Sequence, residues 1–174
     1  MRCVRGFTVL ELLVALAIVA VLAALATPSF RDYLLNQKLR AAAVRLASDL
    51  RWARQSAVGR GGRVVVCPGN EVTGCRDTPD WGSGWIVFHD KNGDRGLSTG
   101  EEILRITQAL SNISARSATA RSQLNFYPNG TAPGSNLTIR LCDARGRDHA
   151  RQVRVALSGR IRGLSVREGA EPGC

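Results

Sequence analysis

The chain has few of the side chains on which enzymes and metal centres are built. Its 174 residues include only two histidines, His89 and His149, and the sequence contains no glycine-rich phosphate loop. Covalent catalysis needs a nucleophile beside a base, and no such set can be assembled here. The cysteines also lack the close C-x-x-C pairs of zinc sites. The sequence therefore predicts that the protein is not an enzyme and holds neither a cofactor nor a metal ion.

Acidic residues and lysines are scarce as well. The sequence has 14 acidic against 24 basic residues, which gives a net charge of +10 at pH 7, and Lys38 and Lys91 are its only lysines. All other basic residues are arginines, whose planar guanidinium fits phosphate and carboxylate groups. The excess of positive charge predicts an anionic partner, which is nucleic acid, polysaccharide or phospholipid.

Residues 7–26 form one long apolar run, FTVLELLVALAIVAVLAALA, which a single charge at Glu11 interrupts. A basic leader, MRCVRG, precedes the run and Pro28 follows it. A helix of about 20 apolar residues is long enough to cross a hydrocarbon core of about 30 Å. A lone carboxylate in such a helix costs on the order of a few kcal/mol unless something neutralises it. This cost predicts a helix that leaves the bilayer and docks beside identical helices, where Glu11 pairs with a neighbour's N-terminal amine.

The sequence GFTVLE, from Gly6 to Glu11, resembles the class III prepilin signal of type IV pilins and type II secretion pseudopilins. The resemblance implies that a prepilin peptidase cleaves after Gly6 and methylates the exposed Phe7. It also implies that Glu11 is the assembly carboxylate and that Pro28 is the helix-kinking proline of that family. An ordinary signal peptide has no acid in its apolar region and is cleaved beyond that region, so the pattern does not favour this alternative.

Cleavage after Gly6 removes one cysteine and leaves Cys67, Cys75, Cys142 and Cys174. An even number of cysteines in a chain delivered across the inner membrane is typical of disulfides. Three pairings are possible. We favour Cys67–Cys75, which closes a short loop, together with Cys142–Cys174, which ties the C-terminal tail to a strand.

Hydrophobic periodicity predicts an α+β fold. Between residues 29 and 58 apolar positions recur every three or four residues, and basic residues share the remaining surface. We expect a helix from Phe7 to about Val58 that ends in the glycines at 59, 61 and 62. Period-two patterns rich in β-branched residues predict strands at 63–67, 84–89, 103–107, 123–127, 137–142, 152–157 and 161–166. The polar segment 110–122 is predicted to be a loop.

Short strands in succession favour antiparallel meanders that cover one face of the helix. The predicted organisation is a leader at 1–6, a transmembrane and assembly segment at 7–26, an amphipathic continuation of the helix at 27–58 and an antiparallel β pilin-like domain at 59–174. The fold is therefore expected to be a long, partly transmembrane N-terminal helix packed on antiparallel β-sheet.

An acidic loop invites comparison with a calcium-binding loop of the EF-hand type. With Asp90 at position 1, Asn92, Asp94 and Glu101 supply suitable oxygens. Position 6 is Arg95, however, and the glycine comes one place late, which should misplace the left-handed turn that aims the ligands. The flanks also read as strands rather than helices. These departures favour a polar turn between strands, without a metal ion.

The segment 145–167 concentrates seven arginines and only one acid. Strand alternation places Arg154 outward. A three-residue loop at 158–160 pairs Leu157 with Ile161, both inward, and leaves Arg160 at the tip of a β-hairpin. Arg162 then shares the outer face with Arg154. Because no aromatic residue interleaves this patch, base stacking on a single strand is not favoured.

The residues GRIR at 159–162 resemble the GRxR motif near the C-terminus of FimT-type minor pilins. That group is similar to the GspH pseudopilin and is implicated in DNA capture for natural transformation. The resemblance implies that Arg160 and Arg162 contact phosphates, and we include Arg154 in the same DNA-binding set. Such contacts are sequence-independent and sensitive to salt. The alternative is a solvated hairpin, or one that contacts an acidic partner subunit.

These patterns together predict a minor pilin or pseudopilin. We expect it to lie in the inner membrane with its C-terminal domain in the periplasm, and then to enter a pilus or pseudopilus. The expected partners are other major and minor pilins or pseudopilins, the prepilin peptidase, the inner membrane and double-stranded DNA. The processing signal serves both filament machines, and the arginine-rich hairpin favours the type IV pilus. The alternative is a minor pseudopilin of type II secretion that has no role in DNA binding.

Overall fold

In the computed structural model of the chain, residues 8–119 and 121–165 are described, without the side chains of 25–28, 164 and 165. One α-helix, α1, runs over Val9–Arg60. Nine strands follow it: β1 (Arg63–Asn70), β2 (Gly74–Cys75), β3 (Trp85–Asp90), β4 (Ile103–Thr107), β5 (Ser114–Arg116), β6 (Leu124–Phe126), β7 (Leu137–Cys142), β8 (Arg151–Val155) and β9 (Ile161–Ser165). A short 3-10 helix, Arg147–His149, lies between β7 and β8.

The strands form two antiparallel sheets. The first sheet has the order β2-β1-β3-β4, and β6 also pairs with β1. The second sheet has the order β5-β7-β8-β9. The long helix and the wholly antiparallel strands confirm the predicted α+β fold.

The C-terminal part of α1 supplies one wall of the core. Its buried apolar residues recur every three or four positions, as an amphipathic helix requires, and they are Leu39, Ala42, Ala43, Leu46, Ala47, Leu50, Ala53 and Ala57. They share one apolar cluster with inward-facing residues of both sheets, including Val66, Trp85, Ile139 and Val153. The periodic stripe predicted from the sequence is thus the face that packs on the sheets, although Tyr33 and Leu34 at its start are 57% and 43% exposed.

The first sheet is buried on both of its faces. Val64 and Val66 of β1 face the main cluster, whereas Val65 and Cys67 face a second, smaller cluster with Ile86 and Phe88. Alternate residues of one strand point to opposite faces, so the apolar residues of β1 pack into both apolar clusters. A strand buried on both faces reads as a continuous apolar segment, as this one does.

One predicted element is wrong. The segment 110–122 is not only a loop, because it contains β5, which pairs with β7. This strand has three residues, of which only Ala115 is buried, so it leaves no period that sequence analysis can detect. The helix ends at Arg60, within two residues of the predicted end, and Gly61 with a φ of +62° follows it.

The chain divides into two compact units, one up to Gln37 and one from Lys38 onward. Between Val9 and Ala24 the side chains of α1 are exposed and, apart from Glu11, apolar, among them Leu12, Leu16 and Leu22. By length and composition no single helix of the described residues qualifies as a membrane span, whereas Val9–Ala24 and Ser29–Arg60 qualify when they are taken as a pair.

Candidate functional site

The N-terminal end of α1 is capped by its own first residues. The hydroxyl Oγ1 of Thr8 accepts a hydrogen bond from the backbone N–H of Glu11 at 3.2 Å. The Thr-x-x-Glu spacing is that of a capping box, in which the first side chain satisfies an unpaired helical N–H. An acid in the first turn also interacts favourably with the helix dipole. Glu11 is exposed here, and its predicted assembly role stays a prediction. The predicted processing residues Gly6 and Phe7 lie outside the described residues.

The arginine hairpin, which comprises Arg154 on β8, Arg162 on β9 and Arg160 in the loop between them, has a different register from the predicted one. Val155, and not Leu157, pairs with Ile161. Leu157 is 55% exposed and lies in the connecting loop. The predicted inward position of Leu157 and the three-residue loop are therefore wrong.

The predicted outward orientation of Arg154 and Arg162 is nevertheless correct. A register change of two residues moves no side chain to the other face, since side chains alternate with a period of two. Arg154 and Arg162 lie directly opposite each other across the β8–β9 pair, and both are exposed. Arg160 is exposed in the loop between these strands. The structure thus brings the three predicted arginines onto one hairpin, and among the described residues no carboxylate lies within ion-pair distance of them.

The loop at the hairpin tip is held against a neighbouring turn by a helix residue. The Nε of Arg54 donates to the carbonyl oxygen of Gly130 at 2.7 Å, and its Nη2 donates to the carbonyl oxygen of Ser158 at 3.4 Å. The N–H of Ala132 donates to the carbonyl oxygen of Leu157 at 2.8 Å. These three bonds, which we call the Arg54 clamp, join the hairpin tip to α1 and to the turn after β6.

Gly159 fits the clamp because it lacks a side chain. It is buried, its φ is +73°, and a Cβ atom placed on it would lie 2.0 Å from the carbonyl oxygen of Gly130. An L-residue is disfavoured in this left-handed conformation, and the contact leaves no room for one. The glycine of the GRIR sequence therefore has a structural role, whereas Arg160 beside it is exposed to solvent. Sequence analysis missed Arg54 and Gly130, since neither is near the hairpin in the chain.

The helix is anchored to the first sheet by a buried carboxylate that sequence analysis did not single out. Asp49 of α1 accepts hydrogen bonds from Trp85 Nε1 at 3.1 Å, Thr107 Oγ1 at 2.8 Å and Arg105 Nη1 at 2.6 Å. The guanidinium of Arg105 also stacks over the ring of Trp52 at 4.7 Å. Buried charges in proteins are stabilised only where they are paired and hydrogen-bonded, and Asp49 meets both conditions. This network fixes the second unit's part of α1, which carries Arg54.

The cysteine predictions have two outcomes. Cys67 and Cys75 form a disulfide that joins β1 to β2, as predicted. Cys142 is buried at the end of β7 and is itself disulfide-bonded. Cys174 lies outside the described residues, so the pairing of Cys142 with Cys174 stays a prediction.

The acidic loop between β3 and β4 brings carboxylates together. Oxygen atoms of Asp90, Asp94 and Glu101 lie within 4.8 Å of one another. Arg95 itself has a φ of +67°, so the predicted misplacement of the left-handed turn is wrong, although the flanking elements are strands as expected. The carboxylates accept backbone N–H groups of their own loop, and the bond from Gly96 lowers the pKa of Asp94. Their visible role is to order the loop, and the absence of a metal site stays a prediction.

Two family models match the chain. The first, described as the type II transport protein GspH, matches residues 42–159, which is more than half of the chain. The second, described as the prokaryotic N-terminal methylation motif, matches residues 1–27. Two fimbrial proteins of Pseudomonas aeruginosa are each 37% identical to the chain over 65 residues. That segment is 37% of this chain and 42% of each relative, so the chain spans less than half the length of these relatives.

Solved structures share the fold. The type IV minor pilin FimU of P. aeruginosa strain PAO1 is 24% identical with a TM-score of 0.55, over 72% of this chain and 92% of that one. The minor pseudopilin EpsH of the type 2 secretion system of Vibrio cholerae is 11% identical with a TM-score of 0.54, over 74% and 97%. With the fold, the methylation motif and the match over residues 42–159 in agreement, the chain belongs to the family of the type II transport protein GspH.

Proposed function

We propose that this protein is a minor subunit of a type IV pilus or of a type II secretion pseudopilus. It is made as a prepilin in the inner membrane, cleaved after Gly6, methylated at Phe7 and assembled through α1 with other pilins or pseudopilins. The observation that carries this proposal is the methylation motif over residues 1–27 in front of a GspH-family domain. Glu11 lies in the first turn of α1, among exposed side chains that are otherwise apolar up to Ala24, and it is the residue we assign to subunit pairing.

The processing step is tested on the full chain, expressed with and without a prepilin peptidase. Mass spectrometry of the purified protein should show loss of the leader MRCVRG and a methylated N-terminal phenylalanine only when the peptidase is present. Replacement of Gly6 by valine should abolish the cleavage. Material that still begins at Met1 with an active peptidase would contradict the proposal.

The assembly role of Glu11 is tested separately. Glu11→Gln keeps the shape of the side chain but removes the charge that would pair with a neighbour's N-terminal amine. We expect this variant to be processed normally and to be missing from filaments sheared from cells. Glu71→Gln, which changes an exposed acid of the β1–β2 loop, serves as the control. Normal incorporation of Glu11→Gln would refute the assigned role.

We further propose that the arginine hairpin binds double-stranded DNA through its phosphates. Three exposed arginines on one hairpin, with no carboxylate near them among the described residues, support this assignment. Each phosphate neutralised by an arginine releases counterions and adds about 0.9 to the magnitude of the salt slope of log K. The Arg160→Ala/Arg162→Ala variant should therefore bind a duplex more weakly, with a slope reduced by about 1.8.

This binding is measured with the full chain in detergent micelles, by fluorescence anisotropy of a labelled duplex at several salt concentrations. Arg45→Ala removes one exposed arginine from α1 and is the control for a loss of positive charge away from the hairpin. Unchanged affinity and slope in the double variant would refute DNA binding by the hairpin and leave the filament role intact.

A further inference from the structure

The outer face of the second sheet carries arginines on all four of its strands. Arg116 lies directly opposite Arg140 across β5 and β7, and Arg154 lies directly opposite Arg162 across β8 and β9. Arg140 pairs with Gln152 of β8, two residues from Arg154, which makes Arg140 and Arg154 diagonal neighbours. We call Arg116, Arg140, Arg154 and Arg162 the arginine face.

All four side chains lie on the side of the sheet that faces away from the core. The residues that alternate with them, Ala115, Leu141, Val153 and Val155, are buried in the main apolar cluster. Arg116, Arg154 and Arg162 are exposed and Arg140 is half-buried. Strands in a sheet are about 4.8 Å apart, so the row from β5 to β9 is about 14 Å wide.

This arrangement is unfavourable for the protein by itself. Like charges directly opposite each other on neighbouring strands repel, and Arg154 and Arg162 form such a pair. No carboxylate of the described residues lies within ion-pair distance of Arg116, Arg154 or Arg162. Asp80 is bridged to Arg116 through the backbone, and its Oδ1 accepts the N–H of Gly82 instead. An extended anion on this face would relieve the repulsion.

We propose that the arginine face is the duplex-binding surface of this protein, and that Arg116 on β5 contacts a DNA phosphate together with the hairpin arginines. This inference rests on the proposed DNA binding of the hairpin and extends it across the whole sheet. A row of guanidinium groups about 14 Å wide matches a ligand with regularly spaced phosphates. An acidic partner subunit is the other class of ligand, and the test separates the two.

The experiment compares Arg116→Ala with Arg160→Ala/Arg162→Ala and with Arg45→Ala, using the full chain in micelles and two labelled duplexes of unrelated sequence. Arg116→Ala should weaken binding to both duplexes alike and reduce the salt slope by about 0.9. Arg45→Ala should change neither quantity. Arg116→Lys keeps the charge and should retain the slope, which separates loss of a phosphate contact from damage to the fold.

The outcomes are distinguishable. If only the hairpin variant weakens binding, DNA binding by the hairpin stands and the inference about Arg116 is overturned. If the hairpin variant itself binds normally, the proposed DNA function fails. If Arg116→Ala removes the protein from sheared filaments but leaves duplex affinity and slope unchanged, the face is a contact between subunits and the inference is again overturned.

Discussion

Replacing Gly159 by alanine is expected to destabilise the second unit and to weaken DNA binding, although the residue itself contacts no ligand. Alanine at this position would have to keep the backbone φ of +73°. Its Cβ would lie 2.0 Å from the carbonyl oxygen of Gly130 and 2.9 Å from Nε of Arg54. The left-handed conformation costs an alanine about 1–2 kcal/mol. Forcing a methyl group into a packed contact costs about 1–3 kcal/mol more. We expect a total loss of about 2–5 kcal/mol.

Substitutions of two other glycines separate the cost of the left-handed conformation from the cost of the close contact. Gly134 has a φ of +71° with nothing within 4 Å of an added Cβ, so Gly134→Ala should show the conformational cost alone, about 1–2 kcal/mol. Gly163 has open space around it and no positive φ, and Gly163→Ala should be neutral or slightly stabilising. The three variants therefore form a graded series in which only the first meets the backbone of a neighbouring turn.

The free energies of unfolding are obtained from urea titrations of the full chain in micelles by linear extrapolation. Tryptophan fluorescence reports on the second unit, because Trp52, Trp81 and Trp85 all lie there and the last two are fully buried. The duplex affinity of each variant is measured in parallel. If Gly159→Ala costs no more than Gly134→Ala, the close contact with Gly130 does not control the hairpin and the reasoning is wrong.

Three further changes test other contacts of the structure. Asp49→Ala should lower the free energy of unfolding by about 2–4 kcal/mol in the same urea titration, because it leaves a buried indole N–H without its acceptor. The hydrogen bond from Arg145 lowers the pKa of Asp143. The ionised carboxylate of Asp143 therefore stabilises the fold fully above pH about 4, and this stabilisation is lost as the pH falls through the pKa of Asp143 in the folded protein. Asp143→Asn should flatten the acid side of a plot of unfolding free energy against pH. Cys67→Ala/Cys75→Ala should cost about 2–3 kcal/mol in the urea titration.

Each of these three predictions has an outcome that would contradict it. Thr107→Val removes one donor to Asp49 but leaves the bonds from Trp85 and Arg105, so it should cost less than Asp49→Ala. Equal effects of the two variants would disprove the role of the carboxylate. An unchanged acid limb in Asp143→Asn would show that other carboxylates control acid unfolding. Full stability without Cys67 would mean that hydrogen bonds alone hold β2 on β1.

Much of the fold is predictable from the sequence because it depends on local periodicity. Apolar residues at helical spacing mark the face of α1 that packs on the sheets, and Leu39, Leu46 and Leu50 are fully buried there. Alternation identifies the long strands, and the bounds of β4 and β7 agree with the predicted ones. In both cases the pattern records which side of an element faces the core.

The features that could not be predicted from the sequence depend on contacts between residues that are far apart in the chain. Arg54 lies 76 positions from Gly130 and 104 from Ser158, the residues to which it donates hydrogen bonds. The predicted register of β8 and β9 depends on the length of the hairpin loop alone, which takes no account of contacts between the loop and distant residues. That prediction is wrong by two residues. The face that Arg154 and Arg162 share is nevertheless correct, since it depends only on the parity of the register.

Three ion pairs among the described residues lie at the first sheet. Arg60 pairs with Glu102 at 2.6 Å, Arg63 with Asp90 at 3.3 Å and Arg105 with Asp49 at 2.6 Å. Among the described residues, the exposed Arg154, Arg160 and Arg162 have no such partner, so uncompensated positive charge is concentrated on the arginine hairpin. We expect this charge to attract a polyanion over a distance, before any contact forms, so that association is fastest in dilute salt.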